Sequence, residues 1–99
     1  MTGTSRSSEG LDPARRRILY RAWHRGTREM DLVMGRFVDA ELDNLTDEDV
    51  ADMERMIDAQ DHDLYEWILG KTAVPADHDT PVFRRLRAFY AGFKPDAKA

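Results

Sequence analysis

Apolar residues recur along most of this chain at spacings of three and four, the period of a helix buried on one side. The clearest run lies within residues 27–43, where Met30, Val33, Met34, Phe37, Val38 and Leu42 share one face of a predicted helix. Ahead of it, Ile18, Leu19, Ala22 and Trp23 form a shorter stripe. Asp12-Pro13 opens that first helix as an N-cap followed by proline at the first helical position, and the pattern runs to about His24. Gly26 falls where a left-handed C-terminal cap would close it.

A third helix is predicted from Thr46, with Asp49 three residues on in a shortened relative of the capping box. Its acidic first turn suits the helix dipole, and Val50, Met53 and Ile57 are its buried side, to about Ala59. Asp61 is expected to cap a short fourth helix, nearly continuous with the third and closed by Gly70. Leu64, Trp67 and Ile68 point inward there, flanked by Tyr65 and Leu69. After a connector over 71–79, Thr80-Pro81 opens a fifth helix with Val82, Phe83, Leu86, Phe89 and Tyr90 inward. Gly35, in the middle of the second helix, costs about 1 kcal/mol relative to alanine but leaves room for a bend or a close neighbour.

No stretch reads as a strand. Short links between amphipathic helices predict an all-α fold, a small five-helix bundle in a single domain over residues 12–93. Residues 1–11 are expected to form a disordered N-terminal segment and 94–99 a frayed tail.

Composition narrows the chemistry. The 99 residues suffice for one core, and the absence of cysteine excludes disulfides and thiolate sites. No apolar run approaches the roughly 20 residues needed to cross a bilayer, so direct membrane insertion is not expected. The polar first ten residues lack a secretory signal, which makes the cytoplasm the expected address, or the mitochondrial matrix in a eukaryote. The net charge of −4 conceals a segregation: residues 1–28 carry seven arginines against Glu9 and Asp12, whereas 39–66 carry twelve carboxylates against Arg55 alone. Such asymmetry marks either a polar contact surface or solvated helix faces.

Catalytic signatures are missing. His24, His62 and His78 stand on three different segments, and no metal site is expected from them. The run 43–49 lacks the glycine and alternating oxygen ligands of a calcium loop. No glycine-rich phosphate loop, G-x-S-x-G or H-E-x-x-H occurs, so no catalytic residues are assigned and the chain is not read as an enzyme. The arginine-rich first helix, with aromatics between its charges, keeps a second reading open: a small helical nucleic-acid-binding or regulatory module. The pI of about 5.3 and the carboxylate block oppose it, and nucleic acid is not the expected partner.

"HRGTREMD", residues 24–31, carries the remaining signal. Arg25 in the last turn of the first helix and Glu29 in the first turn of the second both suit the helix dipoles, and Gly26 suits a cap. The same residues would display an arginine and a carboxylate on one exposed corner, with a glycine that lets a partner's backbone come close. Charges at such ends are worth only about 0.3–1 kcal/mol, so alanine at Arg25 or Glu29 is expected to spare the fold.

Arg25-Gly26-x-x-Glu29 resembles the R-G-x-x-E signature of the succinate dehydrogenase assembly factors that promote covalent flavin attachment. Glu41, Leu42, Asp43, Leu45 and Thr46 are similar to that family's E-(Y/L)-(D/N)-x-L-(S/T) turn. Asp61, Asp63, Leu64, Tyr65, Trp67 and Ile68 resemble its D-x-D-L-(Y/F)-x-W-(I/L) segment, and the likeness extends from about Ile18 to Pro75. Gly35-Arg36 departs from it, since relatives often carry a bulky apolar residue and then proline there.

The resemblance implies a dedicated chaperone that binds the flavoprotein subunit of succinate dehydrogenase, and in bacteria also fumarate reductase. It would aid covalent attachment of FAD to a histidine of that subunit while binding no cofactor tightly itself, and it would act as a monomer. Arg25, Gly26 and Glu29 are the implied partner-binding residues, with Arg28 and Asp31 beside them. The segregated charge is then expected to serve docking. Trp67 and Phe37 are assigned to the core.

Overall fold

Side chains that satisfy otherwise unpaired N–H groups set where the helices begin in the computed structural model, which describes residues 10–93. Asp12 accepts from the Arg15 amide at 3.3 Å ahead of α1 (Pro13–Ala22). The Thr27 hydroxyl accepts from the Met30 amide at 3.2 Å and opens α2 (Arg28–Glu41), which runs into a 3-10 turn, Leu42–Asn44. Helix α3 (Asp47–Ile57) starts with a full capping box: the Asp49 amide donates to the Thr46 hydroxyl at 3.1 Å, and the Thr46 amide to the Asp49 carboxylate at 3.2 Å. Helix α4 (Asp61–Leu69) stops at Gly70, left-handed with φ of 80°. A 3-10 turn at Ala76–His78 precedes α5 (Pro81–Phe93), where Thr80 accepts from the Phe83 amide. Among the described residues there is no strand.

Three boundaries differ from expectation. Helix α1 ends at Ala22 rather than near His24, so Arg25 and Gly26 belong to the connecting turn and Gly26 is not the helix cap. The residue capping α4 is Gln60, without a side-chain bond, because the Asp61 carboxylate is drawn to Arg25. Asp58, Ala59 and Gln60 separate α3 from α4. Of the expected disordered ends, residues 1–9 and 94–99 lie outside the described residues, and Leu11 packs partly buried against the core.

Helix α1 lies across α2 and α3, and α5 closes over α2, α3 and α4. Phe37, Phe83, Ile18, Met34 and Leu86 are fully buried between them, and no fully buried residue among those described is polar or charged. Burial of such side chains stabilises a fold by about 1.5–3 kcal/mol each before the ordering entropy is counted. Phe37 is core as expected. Trp67 is only partly buried, its ring stacked on His78 at 5.3 Å, because α4 is covered on that side by a turn rather than a helix.

The segregated charge is used within the molecule. Arg15 reaches Asp47 at 3.1 Å, Arg17 reaches Glu54 at 2.9 Å and Arg21 reaches Asp58 at 2.7 Å, which lays the basic α1 along the acidic α3. Arg85 of α5 bridges Glu41 and Asp49. Exposed pairs of this kind contribute about 0–1 kcal/mol each, so they set register more than stability.

Gly35 has the close neighbour its position allows. A Cβ there would lie 2.3 Å from Cδ2 of Trp23, whose indole rests flat on the α2 backbone while its Nε1 donates to Asp39 at 3.2 Å. Gly35→Ala is therefore expected to lower stability. Overpacking costs about 1–3 kcal/mol, which outweighs the helix-propensity gain of about 1 kcal/mol. The urea midpoint measures it, and an unchanged midpoint would show that the indole can retreat.

Candidate functional site

The turn between α1 and α2 is held from beneath. The Asp31 carboxylate reaches back to accept from the Arg25 amide at 2.6 Å, while Thr27 caps α2. Gly26 has φ of 109°, a conformation in which a Cβ is strained, and nothing lies within 4 Å of where that Cβ would be. Gly26 is thus an open, backbone-only surface whose shape requires glycine.

Arg25 turns inward, with only 8% of its side chain exposed. Its Nε donates to Asp61 at 2.8 Å, one terminal nitrogen donates to the Ile57 carbonyl, and the other donates to the Ala59 carbonyl at 2.8 Å and pairs with Asp61 at 2.6 Å. The carbonyls at the end of a helix lack intrahelical partners, and a cation suits that negative end. One planar fork therefore closes α3 and fixes the start of α4.

Glu29 is half-buried and accepts from the Tyr65 hydroxyl at 2.5 Å, and Tyr65 lies 3.2 Å from the Tyr90 hydroxyl. Burial, and then the bonds to Glu29 and Tyr90, hold the Tyr65 phenol well above its ordinary pKa, so it remains a donor.

The exposed corner expected for Arg25 and Glu29 is corrected by these contacts. The orphan carbonyls of α3 and the Asp61 carboxylate draw Arg25 in, and Tyr65 draws in Glu29. Of the five residues singled out, Gly26 and Arg28 are exposed, whereas Arg25, Glu29 and Asp31 shape the ground beneath them. Sequence reasoning missed Asp61 and Tyr65 as partners of the motif. The segment 61–68 drew notice through the resemblance, but pairings across 36 residues have no local signature.

A family model described as flavinator of succinate dehydrogenase matches residues 16–90, a span that contains the whole corner. The chain belongs to that family. The chain is similar to an FAD assembly factor of Acetobacter pasteurianus, 39% identical over 80 residues that make up 81% of this chain and 73% of the relative. It is also 31% identical to a mitochondrial succinate dehydrogenase assembly factor of Dictyostelium discoideum, and 33% identical to one of Drosophila ananassae. These matches cover 78% and 83% of this chain but only 55% and 52% of the mitochondrial relatives, about half their length. No solved structure matches the chain. Among the described residues no helix is long and apolar enough to cross a membrane, and no cluster of His, Cys, Asp or Glu is arranged to hold a metal ion.

Arg25→Ala is expected to destabilise the protein by about 2–4 kcal/mol in urea denaturation, because it leaves Asp61 and two carbonyls unpaired. Arg25→Lys should recover only part, since an ammonium cannot span the same acceptors. Stability equal to wild type in Arg25→Ala would show the clamp to be ornamental.

Tyr65 generates a pH prediction. Its folded pKa lies above the ordinary phenol value of 10.0, so the contribution of the neutral form is complete below that value and is lost as pH rises from there toward the folded pKa. Tyr65→Phe is expected to flatten this alkaline decline in unfolding free energy relative to wild type. Parallel pH profiles for the two proteins would refute the assignment.

Proposed function

We propose that this chain is a non-catalytic assembly factor that binds the flavoprotein subunit of succinate dehydrogenase and promotes covalent attachment of FAD to it. Family membership supports the reading, and the observation that carries it to particular residues is the built corner. Gly26 and Arg28 stand exposed on a turn that Arg25, Asp31 and Thr27 hold rigid, inside the span matched by the family. A helper of this kind needs no reacting group of its own. It acts by stabilising the flavoprotein conformation in which histidine and flavin are correctly placed.

The flavoprotein rather than free FAD is the principal ligand in this reading. Dinucleotides are commonly held by a glycine-rich turn within a strand–helix–strand unit, and the described residues contain no strand. Fumarate reductase is a second client of the same chemistry, and the chain works as a monomer in the cytoplasm or matrix, where the flavoprotein is loaded. Nucleic-acid binding is not favoured, because Arg15, Arg17, Arg21 and Arg25 are each committed to a carboxylate. With those charges paired internally, docking depends on salt only mildly, through cations such as Arg28.

The test scores covalent flavin on the flavoprotein in cells with and without this gene, and with two variants. Gly26→Arg should abolish most of the flavinylation although the strained backbone costs only about 1–3 kcal/mol. Arg28→Ala should keep the wild-type melting temperature and weaken flavoprotein binding in titration. Normal flavinylation by Gly26→Arg, or by cells lacking the gene, would sink the proposal.

A further inference from the structure

An exposed aromatic ring lies beside the corner, at the end of α1. Tyr20 is 64% exposed, the most exposed large hydrophobic side chain among the described residues. It is nevertheless held in place. The His24 ring stacks on it with centroids 3.9 Å apart and planes 16° from parallel, and His24 is itself fixed by an Nδ1–H bond to the Tyr20 carbonyl at 2.6 Å. The ring is thus ordered while most of its surface stays open to solvent. A large aromatic kept outside and ordered in advance has the character of an interface anchor, because the entropy of fixing it is already lost before binding.

The anchor borders a cleft of about 390 Å³ between the end of α1 and the start of α4. Tyr20 and His24 form one wall, and Ala59 and Gln60 the other. Arg21 and Arg25 line it as well, but Asp58 and Asp61 pair with them and hold them still. The cleft is therefore close to neutral. His24 is two residues from Gly26, which makes the aromatic platform continuous with the open glycine surface.

We propose that Tyr20, backed by His24, anchors the contact with the flavoprotein, and that a loop of the flavoprotein lays an apolar or aromatic side chain on its face while its backbone passes over Gly26. This inference rests on the function proposed above and extends its contact surface along the end of α1. The charge of the cleft selects the occupant. A pyrophosphate such as that of FAD seeks unpaired cations or helix N-termini, and both arginines here are already neutralised. An apolar side chain with a passing backbone asks for no free charge and covers the ring.

The experiment titrates purified flavoprotein with wild type, Tyr20→Ala, Tyr20→Phe and, as an exposed apolar control on α4, Leu69→Ala, recording thermal melting of each. Tyr20→Ala should raise Kd about tenfold or more with its melting unchanged, Tyr20→Phe should stay within about twofold of wild type, and Leu69→Ala should bind normally. An unchanged Kd for Tyr20→Ala, with wild type binding well, overturns the anchor and leaves the proposed function standing. Failure of wild type to bind overturns both. An affinity loss matched in Leu69→Ala, or accompanied by a lowered melting transition, also overturns it. Free FAD binding wild type and not Tyr20→Ala would reassign the cleft to the flavin.

Discussion

The guanidinium of Arg25 sits where the turn between α1 and α2 meets the junction between α3 and α4. It gathers the Ile57 and Ala59 carbonyls and the Asp61 carboxylate with one side chain that is nearly buried. Helix ends carry unpaired polar groups that must find partners when water is excluded, and here one residue from a distant turn supplies them. The consequence runs outward. With Arg25 anchored from below and its amide held by Asp31, the backbone at Gly26 has little freedom and is presented in a fixed shape. The same motif thus holds the bundle together at one end and fixes the shape of its outer face.

Charge follows the same economy of placement. A chain whose first 28 residues are arginine-rich and whose middle is carboxylate-rich invites the idea of a polar docking surface. Part of that charge instead runs down a seam between α1 and α3, where three ion pairs join the helices, and Arg85 ties α5 to α2 and α3. At the corner itself the surface offers open backbone at Gly26, the Arg28 cation and the pre-stacked Tyr20 ring. An interface built this way discriminates by shape and a few anchors rather than by a broad field.

Features governed by neighbours in sequence were legible before any coordinates. The apolar faces of the five helices, the Asp12-Pro13 start, the Thr46–Asp49 box and the stop of α4 at Gly70 all follow from local spacing, and all are present. Gly35 was legible in part: its permissiveness showed, but not that Trp23 would be the neighbour to fill the space. The motif itself was visible as residues and not as geometry. Dipole arguments put Arg25 and Glu29 on the surface, because nothing local reports that Asp61 and Tyr65, each 36 residues away, would take them inward. Trp67 misled for a similar reason, since helical periodicity shows which face is apolar but not whether a helix or a turn will cover it.

In the proposed division of the motif, some residues hold the corner and others touch the partner, and one comparison separates these roles most directly. Covalent flavin on the flavoprotein is measured with Arg25→Ala and with Gly26→Arg, each with and without an osmolyte such as TMAO, which strengthens compact states without adding contacts. The expected result is that the osmolyte restores flavinylation with Arg25→Ala, whose deficit is one of stability, and does not restore it with Gly26→Arg, whose surface is blocked. An Arg25→Ala protein that is fully folded without osmolyte and still inactive would contradict the division, because Arg25 would then have to meet the flavoprotein itself.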